Sequence, residues 1–341
     1  MPDCAARPLP PRSSIPRPSQ QHPGSAEEAA LPGRVPRDPA AAAREWRLGL
    51  LCMLGVLVCW SGFLLSGRLS TRQAFTAGDM AALRFTGSLL AGLAVVAWRG
   101  WPRLSLVRGA ALAFCAGFGY ALPVYAGFAY APTAHAGVML IGTLPFVTTA
   151  LAVVFLGERW SRQRVLSLLV VALGIALLAG ATLGEHPGAW RGDLLFLLAG
   201  VFWSVYTLLV RRWRVPALTA VLSVSLLPAP VFLPLWYFAL PSNLPTIGWG
   251  PVLWQFAYQG VIAAVMASFL YTRAVNALGA ATATTITAFV PALAAIAAWP
   301  LLGEALEPGG MAGVALVSAG IILGVLGPWG RRRAAGTQGE E

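Results

Sequence analysis

The sequence predicts an all-α integral membrane protein: ten transmembrane helices arranged as two inverted five-helix repeats. Three observations lead there. The 341 residues are 57% hydrophobic and only 11% charged, with a mean hydropathy of +0.69, whereas soluble domains carry about 25% charged residues. The apolar residues fall into ten stretches, each able to span a hydrocarbon core that needs ~20 residues. The last third of the membrane part repeats an earlier segment at a constant offset.

Residues 1–43 are rich in Pro, Ala, Arg and Ser and have no hydrophobic period. Such a segment buries too little apolar surface to offset its ordering entropy, so a disordered cytoplasmic tail is expected. It has no early apolar stretch beside its basic residues and does not read as a signal peptide. The predicted spans are then 49–67, 76–97, 107–127, 134–156, 164–182, 193–210, 217–238, 251–273, 281–302 and 308–328. The first five form a repeat over 47–182 and the last five a repeat over 191–328, followed by a cytoplasmic C-terminal tail, 329–341. Strands are a poor alternative, because the runs lack the apolar/polar alternation of a membrane barrel. Thirty-seven glycines and 13 tryptophans suit helices packed closely in lipid with indoles at the interfaces.

All 24 basic residues are arginine. They lie in short clusters between apolar runs, which is the pattern of the positive-inside rule and not of a nucleic-acid surface, despite a pI near 10.5. With the N-terminus in the cytoplasm, only Arg68, Arg72 and Arg191 of the loop arginines fall outside. Both termini are therefore expected in the cytoplasm, in a multi-pass protein of the inner or plasma membrane. Cys52, Cys59 and Cys115 lie in apolar runs without metal-ligand spacing, so neither a disulfide framework nor a metal site is expected.

The repeat is explicit in places. "LPFVTTALAVVFLGE" ending at Glu158 matches "VPALAAIAAWPLLGE" ending at Glu304, with Pro145 on Pro291 and, further on, Gly174 on Gly320. "CWSGFLL" at Cys59 and "FWSVYTLL" at Phe202 mark the starts of the halves. Five helices per repeat is odd, so the second copy must be inverted. Inverted repeats place a solute site at their interface near the midplane, reached alternately from each side.

These residues resemble the EamA repeat of the drug/metabolite transporter superfamily. The resemblance is carried by Trp60 and Ser61 in the first helix and "ALRF", Ala82 to Phe85, in the second. It continues in "AYAPTAHAGVMLIGTLPF", "LGERWSRQRVLSLLVVALGIALL", "RGDLLFLLAGVFWSVYTLLVRR" and "LGEALEPGGMAGVALVSAGIIL", covering residues 47–328. It implies a secondary carrier, often an exporter of amino acids or other metabolites, and leaves the substrate open. One departure is His135, where a small residue is usual and where the repeat partner is Ala281.

Arg84 lies well inside an apolar run, about 10–12 Å from its outer end at 1.5 Å per residue. It reads either as an anion contact in the outer half of a cavity or as a structural arginine snorkelling outward. His135 reads as a protonatable coupling group or as an interfacial histidine bonded to a loop carbonyl. Pro145 and Pro291 at matching mid-helix positions would bend both helices and turn freed carbonyls to a cavity. Glu158 and Glu304, at helix ends, read as gate residues or as solvated termini. Trp60, Tyr120, Tyr125, Trp203, Tyr206 and Tyr271 offer aromatic walls for a planar or amphipathic solute, against the alternative of lipid-facing or merely packed rings. Gly320-x-x-x-Gly324 and Ala172-x-x-x-Ala176-x-x-x-Gly180 are smooth faces for contact inside the bundle or with a second copy in a homodimer.

The expected function is a secondary transporter, with export as its direction, that moves a small organic or amino-acid-like solute across the lipid bilayer by alternating access. No phosphate-binding loop supports ATP coupling, so a proton or a counter-solute would drive it, without cofactor or metal. The alternative is an integral membrane enzyme or sensor. That would want clustered His, Asp or Glu, and His22, His135 and His186 are scattered among only 13 acidic residues. A channel would want a polar filter or charged ring, and none is visible.

Overall fold

The computed structural model describes residues 39–71, 73–101, 103–131, 133–157, 161–180, 188–302 and 311–324. These residues form helices joined by short turns. In chain order they are α1 (Pro39–Thr71), α2 (Ala77–Arg99) and α3 (Leu106–Phe128), then α4, which runs through Thr133–Ala136 and Gly137–Gly142 into Leu144–Leu156. Next come α5 (Arg162–Gly180), α6 (Trp190–Arg212), α7 (Ala217–Ala239) and α8 (Trp249–Leu278). Last are α9, in two pieces Ala280–Thr287 and Val290–Leu302, and α10 (Met311–Gly324). Among the described residues seven helices are long and apolar enough to cross a membrane, namely α1, α2, α3, α4, α6, α7 and α8, and shorter apolar helices accompany them.

Local sequence explains the boundaries. α1 begins at Pro39, so Pro39–Ala43 of the segment expected to be disordered are helical. The alanine run Ala40–Ala43 favours helix, and one turn later Glu45 accepts from Arg273 of α8 at 2.6 Å, tying the start of α1 to the bundle. α2 starts on a capping box: Thr76 Oγ1 accepts from Asp79 N at 3.0 Å, and Asp79 Oδ2 accepts from Thr76 N at 3.2 Å. α4 ends at Gly157, whose φ of 64° is the left-handed cap that glycine adopts without strain. Three helices contain π-helical turns: Phe114–Phe118 in α3, Gly137–Gly142 in α4 and Phe256–Met266 in α8.

The packing follows the repeat. The first helix of the first half, α1, packs chiefly on α8 and α9, the third and fourth helices of the second half. Reciprocally, α6 packs chiefly on α3 and α4. The same exchange holds α5 to α10. A Cβ on Gly174 would stand 2.7 Å from Val317 N, and one on Gly320 would stand 2.9 Å from Val171 N. Gly174 and Gly320 are 146 positions apart, as are Val171 and Val317, so the two contacts are repeat equivalents of each other. Ser167 Oγ closes the contact by donating to the Gly320 carbonyl at 2.8 Å. The Gly320–Gly324 face is thus occupied inside the bundle, while Ala176 on the other candidate face is exposed. Where α2 crosses α8, Gly87 and Gly260 pack Cα against Cα, so neither has room for a side chain.

Candidate functional site

The reciprocal docking of α1 and α6 brings Trp60 and Trp203 together at the centre of the bundle. Their rings meet edge to face, centroids 5.4 Å apart and planes at 74°. Tyr271 of α8 stacks on Trp60 at 5.2 Å and stands 5.5 Å from Trp203. Tyr206, one turn beyond Trp203, lies 5.2 Å from it, and Tyr120 of α3 lies 4.8 Å away. Five of the residues singled out in the sequence are therefore one continuous aromatic cluster, drawn from both halves. Edge-to-face and stacked pairs of this kind are worth ~0.5–1.5 kcal/mol each beyond the area they bury.

The polar atoms of the cluster are unevenly satisfied. Tyr206 Oη bonds Thr272 Oγ1 at 2.8 Å, and Tyr271 Oη bonds Thr207 Oγ1 at 2.9 Å. The Trp203 indole Nε1 is buried and faces the Tyr271 hydroxyl without a hydrogen bond of good geometry. Tyr120 keeps accessible surface although its neighbours Trp203 and Arg84 are buried.

Arg84 sits beside this cluster, only 4% exposed, with its guanidinium 5.4 Å from the centre of the Tyr120 ring. Beyond it runs a buried polar chain, of which Tyr125 alone stood out in the sequence. Tyr125 Oη donates to Gln259 Oε1 at 3.0 Å, Ser66 Oγ donates to Gln255 Oε1 at 3.0 Å, and Gln255 Nε2 donates to the Ser66 carbonyl at 3.2 Å. Gln255 and Gln259 are one turn apart at the π-helical part of α8 and fully buried. Two amides at i, i+4 in an apolar run were the available signal. Tyr125 also lies 146 positions before Tyr271, so the two are equivalent in the repeat.

Ser61 and Ser204 follow the paired tryptophans and behave alike. Ser61 Oγ donates to the Val290 carbonyl in α9 at 3.3 Å, and Ser204 Oγ accepts from Thr148 in α4 at 3.0 Å. Each serine reaches the helix of the opposite half that carries the matched proline. Those prolines are not inside unbroken helices, as the sequence suggested. Pro145 starts a new helical piece after the turn at Thr143, and Pro291 starts one after Ala288–Phe289. At a helix start the missing N–H costs nothing, so the breaks rather than the rings expose carbonyls. Ser61 reaches the carbonyl of Val290, the first residue of the new piece.

His135, fully buried at the start of α4, has Nδ1 2.8 Å from Asp193 Oδ1 at the start of α6. Asp193 was visible in "RGDLL" but carried no signal that it would meet a histidine 58 positions earlier. Glu158 and Glu304 lie outside the described residues.

Known proteins share this organisation. A solved crystal structure superposes with a TM-score of 0.64 at 21% identity, over 82% of this chain and 97% of its own. An uncharacterized protein of Pseudomonas aeruginosa is 32% identical over 76% of this chain and 88% of its length. A Streptantibioticus cattleyicolor protein named "Probable terminal-alkyne amino-acid exporter" is 29% identical, over 59% of this chain and 67% of its length. An uncharacterized transporter of Bacillus subtilis is 27% identical over 49% of this chain, which spans just 54% of that protein's length. The profile of the EamA-like transporter family matches twice, over residues 47–180 and 190–326, one match per repeat. With its repeats, its apolar helices and this double match, the chain is a multi-pass membrane transporter that belongs to the EamA-like family.

Proposed function

We propose that the chain is a secondary carrier that moves a small organic solute between its two inverted five-helix repeats by alternating access. Ten spans would put both termini on one side of an inner or plasma membrane, and the arginine distribution favours the cytoplasm as that side. The observation that carries the reading is the meeting of Trp60 and Trp203, equivalent residues of the two halves, in one aromatic cluster. A site on the internal pseudo-axis is touched by both halves, so rocking one against the other changes which side it faces. All five rings come from a single chain, and no second copy is needed to complete the cluster. The breaks before Pro145 and Pro291 supply flexible points at equivalent depth, held by Thr148–Ser204 and Ser61–Val290.

Export is the proposed direction, with a proton or a counter-solute as the driving partner. The exporter name of the Streptantibioticus relative favours an amino-acid-like or related metabolite as cargo. Comparing solutes in the medium and cytoplasm of overexpressing, deletion and Trp203→Ala strains tests this. A solute that accumulates outside only with the intact chain is the expected result. An unchanged profile with the protein in the membrane overturns export.

A further inference from the structure

We infer that Arg84 and the aromatic cluster form one binding site whose cargo is an amphipathic organic anion: a carboxylate on the guanidinium and a flat apolar body against Trp60, Trp203 and Tyr271. This rests on the carrier reading above and narrows its cargo: among amino-acid-like and related metabolites it selects carboxylates that carry no ammonium group.

The first observation is a charge balance. Arg84 lies seven residues into α2, about 10 Å from its start at 1.5 Å per residue, and is 4% exposed. A cation at such depth costs about 3 kcal/mol on an insertion scale unless it is paired or faces water. Three carboxylates occur among the described residues, and each is engaged elsewhere. Glu45 binds Arg273, and Asp193 binds His135. Asp79, the acid on the same helix, accepts from Thr76 N, Asn243 N at 2.9 Å and Trp236 Nε1 at 3.2 Å. Arg84 is left with two neutral neighbours, the face of Tyr120 and the Tyr125 hydroxyl to which it donates, and with no counter-charge among the described residues. Arg99, Arg108 and Arg191 also lie on aromatic faces, but at or near helix ends where water and headgroups serve them.

The second observation is independent. Trp203 is 2% exposed, and its indole N–H faces the Tyr271 hydroxyl without a hydrogen bond of good geometry. A buried donor left poorly satisfied costs up to ~1–3 kcal/mol. A cation without a counter-charge and a poorly satisfied donor are both relieved by a ligand that brings acceptors and negative charge. The distances fit a short molecule, with 5.4 Å from guanidinium to the Tyr120 ring and 4.8 Å from that ring to Trp203, the span of a short carbon chain ending in a ring. An ammonium group finds no free carboxylate among the described residues, which disfavours cations and zwitterions against monoanions.

Four probes of one shape separate the charge classes: 3-phenylpropanoate, its neutral amide 3-phenylpropanamide, the zwitterion phenylalanine and the cation phenethylamine. Their affinities for the full chain in lipid nanodiscs are measured by isothermal titration calorimetry. The anion is expected to bind about tenfold more tightly than the amide, as a charge-assisted contact exceeds a neutral one. Phenylalanine and phenethylamine are expected to bind more weakly still. Arg84→Gln removes the preference for the anion, so that anion and amide bind alike, Arg84→Lys keeps part of the preference, and Trp203→Ala weakens every probe. Equal affinity for anion, amide and amine, or for phenylalanine and phenylpropanoate, overturns the charge inference and leaves the aromatic site standing. Binding that is indifferent to Trp203→Ala, or no binding by any probe, overturns both.

Discussion

His135 and Asp193 show how a single pair can tie the two halves together at one end of the bundle. The 2.8 Å contact joins the start of α4 to the start of α6, with His135 fully buried and Asp193 18% exposed. Removing Asp193 takes this contact from the buried His135, and removing His135 takes it from the part-buried Asp193, so the two single losses overlap in the double variant. His135→Ala and Asp193→Ala are each expected to lower the thermal midpoint of the detergent-solubilised protein more than the double variant's additivity predicts, with a coupling of ~0.5–3 kcal/mol. Strictly additive losses would show that the pair does not act as a unit. The polar chain makes a second prediction at this scale. Gln259→Leu strips the Tyr125 hydroxyl of its acceptor and should cost ~1–3 kcal/mol of stability, read in the same unfolding experiment. How much of this was legible in the sequence depends on charge and duplication. Trp60, Trp203 and Arg84 stood out, being a repeated aromatic and a charge in an apolar run. Asp193 and the Gln255–Gln259 pair did not, because their meaning lies in partners brought close only when helices from different parts of the chain dock.

Elements are joined through positions with no side chain at all. Gly174 and Gly320 let α5 and α10 approach until the backbone N of Val317 and of Val171 fill the space of a Cβ. Gly87 and Gly260 do the same for α2 and α8. Gly320→Leu must push the backbone of α5 away and is expected to destabilise by ~1–3 kcal/mol. Gly248→Ala, whose added carbon meets nothing within 4 Å, should leave the unfolding midpoint unchanged. A Gly320→Leu midpoint equal to wild type would place α10 elsewhere. The constant offset of the repeat identified Gly174 and Gly320 as equivalents from sequence. It did not say that each would face the other's repeat, because self-similarity gives correspondence and not docking. The prolines teach the same limit: their matched positions were legible, but the helix interruptions at Thr143 and at Ala288–Phe289 are set by local backbone geometry that spacing does not encode.

For the whole molecule, the account rests on exchange between halves: α1 is held by α8 and α9, and α6 by α3 and α4, so the aromatic cluster lies where the repeats meet. This architecture predicts that the cluster communicates with both sides of the membrane. Tyr120, the ring that retains accessible surface, is the position to interrogate. In a variant with Cys4, Cys52, Cys59 and Cys115 replaced by alanine, Tyr120→Cys is treated with a membrane-impermeant maleimide on inside-out and on right-side-out vesicles. Labelling is expected from both sides and slowed by a bound solute. Labelling from neither side, or from one side only whatever the solute, would contradict a site that alternates between the two faces.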